Sequence, residues 1–312
     1  MPKPSEPVFD APPPLFAVCT NAAIGAVGLY FLPSLQDVDE MLDSGDIFLQ
    51  RVFPEQVSVR LLLSIRIFYA LVCFYVPIVA VSFGNIVVQP TYLPASKLPR
   101  TILVVNGIKL LFSFTSWAWN LLGIHFALSA YITHRLDSGM SAPVWMMRLA
   151  LVLWETVAPA TLMVSAVVKY AIWPTALKTG RDTSVLKGHR GLLQHNANVF
   201  MAFTELCLMG GLPIRLRHSC FPLLLGVTYV FFTWAIRNVW SPKTGTAFIY
   251  FFMDTTLGAA RATFSLVALT SAMQVFYGIF WLVADFSQKN ESGLTHVVLV
   301  VAVFFLVARF RD

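Results

Sequence analysis

The chain has 312 residues, 57% apolar and 14% aromatic, of which only 12% are charged, and its mean hydropathy is +0.70. A soluble domain carries roughly 25% charged residues, so the charge is too sparse to solvate a globular surface, and soluble, fibrous and disordered classes are excluded. The 22 Lys and Arg exceed the 16 Asp and Glu to give +6. That excess reads as loop charge facing lipid headgroups, because no basic stripe with interleaved aromatics marks a nucleic-acid partner.

Residues 1–14 hold six prolines and are expected to form a disordered tail. A weak apolar run, 15–33, comes after it without the positive n-region of a secretory signal. With the acidic loop of Asp37, Asp39, Glu40, Asp43 and Asp46, it completes a segment 15–57. Six strong apolar runs come next, at 58–86, 104–132, 145–173, 191–212, 219–240 and 262–285. Each meets the requirement of about 20 residues for a bilayer span, so 58–285 is expected to be a six-span core. Residues 286–312 then make a loop and a short C-terminal helix, whose run 295–309 is short for a span. The expected fold is an all-α polytopic transmembrane bundle, six helices with up to two more flanking them, in an endomembrane or the plasma membrane.

Polar breaks separate the runs. They include Pro90 to Arg100, His134 to Gly139, the most polar loop Thr175 to Arg190, Pro213 to His218, and Ser241 to Gly245. The sequon Asn290-Glu291-Ser292 lies between the last two runs. Cys19, Cys73, Cys207 and Cys220 have no CxxC spacing and read as small hydrophobes.

Function should lie in polar groups inside the apolar runs, since each is costly in hydrocarbon and needs a partner. At 100° per residue, His195, Asn198, Ala202 and Glu205 fall within about an 80° arc of one helix face. Such a stripe either lines a cavity or joins two helices by hydrogen bonds. Thr115 is the second candidate. If Lys109 marks the interface of its span, Thr115 lies about 9 Å deeper, and His195, five residues past Arg190, lies about 7–8 Å deep in a parallel span. A hydroxyl and an imidazole at matched depth suit a nucleophile–base pair. Glu155 is expected to pair with Lys169 or a hydroxyl. No metal spacing, P-loop, nucleophile elbow or dinucleotide fingerprint occurs, so no metal or other cofactor is expected.

The stretch Gln194-His195-Asn196-Ala197-Asn198, with Glu205 beyond it, resembles the androgen-induced and androgen-dependent membrane hydrolases, and resembles their rolling stone-like relatives more closely. Thr115-Ser116-Trp117, Pro213-Ile214-Arg215-Leu216-Arg217-His218 and the aromatic segment Phe248 to Asp254 are similar to that group in the same order. The resemblance covers roughly 104–285. It implies a six-helix core and, in the hydrolase branch, cleavage of fatty acid esters of hydroxy fatty acids by a threonine and a histidine, matching Thr115 and His195. The residues around Thr115 have the rolling-stone form, a branch linked to myoblast fusion.

The expectation is therefore a lipid-ester hydrolase acting on membrane lipids. Thr115 is the nucleophile and His195 the base, Asn198 is the oxyanion donor, Glu205 or Asp254 orients the histidine, and Asn198, Glu205 and Asp254 form a supporting polar cavity. The alternative is a non-enzymatic organiser of adhesion or fusion that works through its loops. A transporter coupled through Glu155, Lys169 and Asp254 is the third reading, weakened by the lack of paired broken helices.

Overall fold

A computed structural model describes residues 12–42, 47–88, 90–98, 100–240 and 248–312. Most of the expected tail, Asp43, Asp46, Pro99 and the whole expected turn Ser241 to Gly245 lie outside these residues. The fold is an all-α helical bundle, with one two-stranded ribbon among the described residues.

Helix α1 (Leu15–Tyr30) and helix α2 (Leu35–Leu42) are bent by 54° at the break between them. The acidic segment is therefore partly helical, not a loop. Ser34 and Asp37 cap it reciprocally, Ser34 N–H donating to Asp37 Oδ2 at 3.0 Å and Asp37 N–H to Ser34 Oγ at 3.1 Å. Asp39 of α2 then receives Arg148 at 2.6 Å, which ties α2 to the helix that begins at Val144.

Helix α3 (Val59–Phe83) is capped by Ser58. Strands β1 (Asn85–Val88) and β2 (Leu103–Asn106) pair antiparallel after it. Gly107, at φ +55°, turns the chain out of β2 into a 3-10 helix, Gly107–Leu111. Helix α4 (Phe114–Asp137) comes next, so the expected run 104–132 is α-helical only from Phe114. Helix α5 (Val144–Val167) continues through a π-helical turn, Val168–Ile172, into α6 (Trp173–Lys178). The short helices α7 (Ser184–Lys187) and α8 (His189–Leu192) lead to a second π turn, Leu193–Ala197, and to α9 (Asn198–Cys207). Helices α10 (Cys220–Ala235), α11 (Arg237–Trp240), α12 (Ala259–Lys289) and α13 (Gly293–Val307) complete the order.

Among the described residues, four segments are long and apolar enough to cross a membrane: Val59–Phe83, Val144–Lys178, Leu216–Ala235 and Ala259–Lys289. The bent pair α1–α2 makes five if it is one span. This is the signature of a membrane protein; the expected runs 104–132 and 191–212 are not among these segments. Asn120, His125 and several hydroxyls dilute the apolarity of α4, and α8–α9 is interrupted by its π turn.

The central helix is α5, with 83% of its apolar window buried against 33% for α3 and 28% for α12. The outer faces of α3 and α12 expose Phe68, Leu71, Phe264 and Leu282, which suits hydrocarbon better than water. Helices α3 and α4 approach closely at Gly123, where a Cβ would lie 2.7 Å from Cys73 Cβ. Trp119 Nε1–H donates to Cys73 O at 2.8 Å beside it. A small residue at such a crossing lets two backbones meet.

The polar centre of the bundle is Arg66 of α3, with no exposed surface. Its guanidinium donates to Glu205 Oε1 of α9 at 2.5 Å, Thr133 Oγ1 of α4 at 2.6 Å and Phe48 O at 2.8 Å. Glu205 is thus an ion-pair partner and does not line a cavity with His195. A Cβ at Gly210 would strike both members of the pair. Removing one partner of a buried pair leaves an uncompensated charge, at about 3–5 kcal/mol, whereas replacing both by apolar groups is often neutral. Glu205→Leu alone should therefore lower the melting temperature of the detergent-purified protein sharply. Arg66→Met combined with Glu205→Leu should recover most of that loss.

Candidate active site

The start of α4 is built by the turn before it. Ser113 accepts from Ser116 N–H at 3.2 Å as N-cap, and Ser116 Oγ donates back to Leu110 O at 3.1 Å. Thr115 consequently sits in the first turn of the helix. Lys109 belongs to the preceding 3-10 helix, so the depth count from Lys109 does not describe this segment.

The second π turn changes the other half of the site. A π turn inserts a residue into the helical register, so a 100° count across Leu193–Ala197 misplaces the residues beyond it. His195 lies within that turn, while Asn198 and Glu205 belong to the regular helix after it. Asn198 is buried against α5, where its Oδ1 accepts from Ser165 Oγ at 3.1 Å. Its side chain is not an oxyanion donor beside His195. Asp254 is also elsewhere: it caps the turn after it, accepting from Thr256 N–H at 2.8 Å, and is bonded to Ser96. The expected polar cavity of Asn198, Glu205 and Asp254 is therefore three separate structural networks.

Thr115 and His195 do come together, as lining residues of one cavity of about 590 Å³. It lies at the end of the bundle where α3 finishes, α4 begins and α5 passes into its π turn. Its walls are apolar, including Val76, Val79 and Phe83 of α3 and Val168 and Ile172 of the first π turn. Both π turns among the described residues border it, and such turns occur frequently at functional sites. Arg190 links the two halves, its Nε–H donating to Gln194 Oε1 at 3.1 Å and its Nη2–H to Leu110 O at 2.6 Å. Gln194 Nε2 in turn donates to Ser116 Oγ at 3.4 Å.

Tyr250 reaches the same cavity from the segment before α12. It lines the cavity together with Thr115, and its ring lies 6.3 Å, centroid to centroid, from that of Tyr229. Tyr229 is fixed by donating to Phe112 O at 2.9 Å and by edge contacts with Phe114 and Trp117. His195 Nδ1 is buried with no hydrogen-bond partner among the described residues. Among those residues, no group of three or more His, Cys, Asp or Glu gathers to hold a metal ion.

Two further polar groups depart from expectation. Glu155 pairs with neither Lys169 nor a hydroxyl. It accepts from His218 Nδ1 at 2.6 Å and from Arg215 N–H at 2.8 Å, which pins the Pro213–His218 turn to α5. Lys169 donates to Phe305 O at 2.7 Å, so Glu155, Lys169 and Asp254 share no path. Sequence reasoning missed Arg66, Arg190 and Tyr250 as organising residues. For Arg66 the signal was present, a cation inside an otherwise apolar run.

The chain matches no family model, no curated protein and no solved structure.

One wall of the cavity is held by a distant residue. Val185, Leu186 and Gly188 line it, and the segment carrying them is anchored to Asp312. That carboxylate receives Lys187 Nζ at 2.8 Å, Thr183 Oγ1 at 2.9 Å and Trp173 Nε1 at 3.0 Å. These donors, Lys187 foremost, hold the Asp312 carboxyl down to about 2 from an ordinary 3.8. A group depressed on folding contributes fully above its unfolded value and loses that contribution as pH falls through its folded value. The anchor should hold above about pH 4 and release towards about pH 2. Asp312→Asn should accelerate amide exchange across residues 183–188 at neutral pH, read by mass spectrometry. In the wild type, the same loosening should appear only in the acidic window once intrinsic exchange rates are divided out.

Proposed function

We propose that the protein is an intramembrane lipid-ester hydrolase with Thr115 as nucleophile and His195 as general base. The observation that carries this reading is the shared cavity: the two side chains line one apolar-walled space of about 590 Å³. Small-molecule pockets run to roughly 300–1,000 Å³ with a few convergent polar groups, and this one is of that kind. The likeness to the androgen-induced and rolling stone-like group points to the same pair, and membrane lipids supply the ester.

In this mechanism His195 takes the Thr115 proton as Thr115 Oγ1 attacks the ester carbonyl, forming a tetrahedral intermediate. Collapse breaks the ester C–O bond, and the alcohol leaves with the proton from His195. Water, deprotonated by His195, then attacks the acyl-threonine and releases the acid and the free hydroxyl. Tyr250, and not Asn198, is the candidate oxyanion donor. It lines the same cavity as Thr115, and in this mechanism its phenol donates to the developing oxyanion. The apolar walls seat the acyl chain and exclude bulk water from the acyl-enzyme.

Purified protein given an acyloxy fatty acid should release the hydroxy acid. Loss of a positioned base costs on the order of 10²–10⁴-fold, so His195→Ala should fall by that range and Thr115→Ala to background. Tyr250→Phe should lower kcat with little change in KM. Turnover unchanged in Thr115→Ala or His195→Ala, with the protein still folded, would remove the assignment and leave the organiser reading.

A further inference from the structure

The two ends of the bundle differ in charge. At one end, ion pairs of Arg148 with Asp39 and of Arg217 with Asp37 tie α2 to the start of α5 and the turn before α10. Val52 N–H donates to Met209 O at 2.7 Å, and His296 Nδ1 lies 2.6 Å from Cys207 O. The loop before α3, the end of α9 and the start of α13 therefore belong to this end, as does the sequon Asn290-Glu291-Ser292 between α12 and α13. The β1–β2 ribbon is at the other end. There Lys97 N–H donates to Thr256 Oγ1 at 3.0 Å, Lys109 Nζ to Trp240 O at 3.3 Å and Arg309 N–H to Asn196 Oδ1 at 3.1 Å.

Segments 97–98, 100–109, 169–190, 237–240, 248–261 and 309–312 of the ribbon end hold twelve Lys and Arg against three acids. Segments 34–42, 47–60, 134–148, 209–220 and 285–292 of the opposite end hold seven of each. Four of those seven cations, Arg148, Arg215, Arg217 and Lys289, meet carboxylates. At the ribbon end, Lys97, Arg100, Lys178, Arg261 and Arg311 are exposed and meet no carboxylate among the described residues. Val87, Ile102, Val104 and Ile108 are exposed on or beside the ribbon. Such side chains disfavour water, while the outer backbone groups of a two-stranded ribbon are not left unpaired in hydrocarbon. Both demands are met at headgroup level.

We propose that the ribbon end is the cytoplasmic end of the protein and rests on the anionic phospholipid headgroups of that leaflet. Membrane insertion keeps the richer set of Lys and Arg on the cytoplasmic side. The cytoplasmic leaflet carries the anionic lipids, whose surface potential attracts clustered cations. The ribbon then lies in the interface, with its Val and Ile side chains against the upper acyl layer and Lys97 and Arg100 among the phosphates. The end that carries the sequon lies on the opposite face of the membrane. The proposal needs no chemistry at Thr115 or His195.

Orientation is tested by glycosylation mapping of the full chain in eukaryotic cells, in an Asn290→Gln background. A flexible linker carrying an acceptor sequon is inserted after Gly139, at the balanced end, or after Gly180, at the ribbon end. Both glycines have positive φ and open space around them, so an insertion disturbs no packing. A glycosidase-sensitive mass shift should follow insertion after Gly139 and not after Gly180. A glycan after Gly180, alone or together with one after Gly139, overturns the proposal. Headgroup contact is tested on the purified full chain in nanodiscs of phosphatidylcholine with or without phosphatidylserine. At low salt, phosphatidylserine should slow amide exchange across residues 100–109 by on the order of fivefold, the equivalent of one cation held at a charged surface. High salt should remove the difference, and so should Lys97→Gln combined with Arg100→Gln, two exposed positions whose change leaves the core intact. Equal exchange in the two lipids at low salt overturns the proposal, as does a difference that persists in the double variant.

Discussion

An ionisable side chain buried in an apolar bundle must find a partner of opposite charge or enough acceptors to replace its water, and this constraint organises the whole molecule. Arg66 meets it inside the fold. Its ion pair with Glu205, together with Thr133 and the Phe48 carbonyl, joins α3, α4, α9 and the loop before α3 at one point. Glu155 meets it through His218 and the Arg215 amide, joining α5 to the turn before α10. In lipid, where helix faces gain little from leaving hydrocarbon for one another, such directional contacts and close packing set which helices are neighbours.

Arg190 obeys the same constraint only in part, its Nη1 being buried without a hydrogen-bond partner among the described residues. Its carbonyl and amide acceptors hold it at the junction of α8, the second π turn and the start of α4. The same contacts bring Thr115 and His195 to one cavity. Arg190 thus ties the turn that carries His195 to the segment that precedes Thr115. The π turns serve this geometry. Each breaks the regular register where a helix passes the cavity, with His195 on one side and Val168 and Ile172 on the other lining a common space.

The helical membrane fold was legible in composition and apolar run length, because a bilayer imposes span length directly on sequence. What those runs concealed was local. The run beginning at residue 104 contains a strand and a 3-10 helix before α4. Leu103, Val104 and Val105 are as apolar as a helix start but suit a strand, and Gly107 at φ +55° makes the turn out of it. The stripe of His195, Asn198 and Glu205 failed for a related reason: helical periodicity assumes one register, and no residue type announces a π turn. Thr115 and His195 were reached by motif likeness and by a depth count whose starting point was wrong, yet they line the same cavity.

Tyr250 and Arg190 were invisible for a different reason. Tyr250 comes from an irregular segment far along the chain, so only the folded path brings it to the cavity that Thr115 lines. Arg190 sits at the end of a polar loop, where an arginine ordinarily faces water or headgroups. Its meaning depends on which neighbours it lacks among the described residues, and a missing carboxylate cannot be read from the identity of the arginine itself. Charges that find partners build the bundle, and Arg190 keeps one guanidinium nitrogen buried without a partner among the described residues. By that criterion the end of the molecule bounded by α3, α4 and the two π turns is the place to look for chemistry. The central Arg66–Glu205 contact is the more conspicuous polar feature, but it lies away from the cavity of Thr115 and His195 and ties helices together.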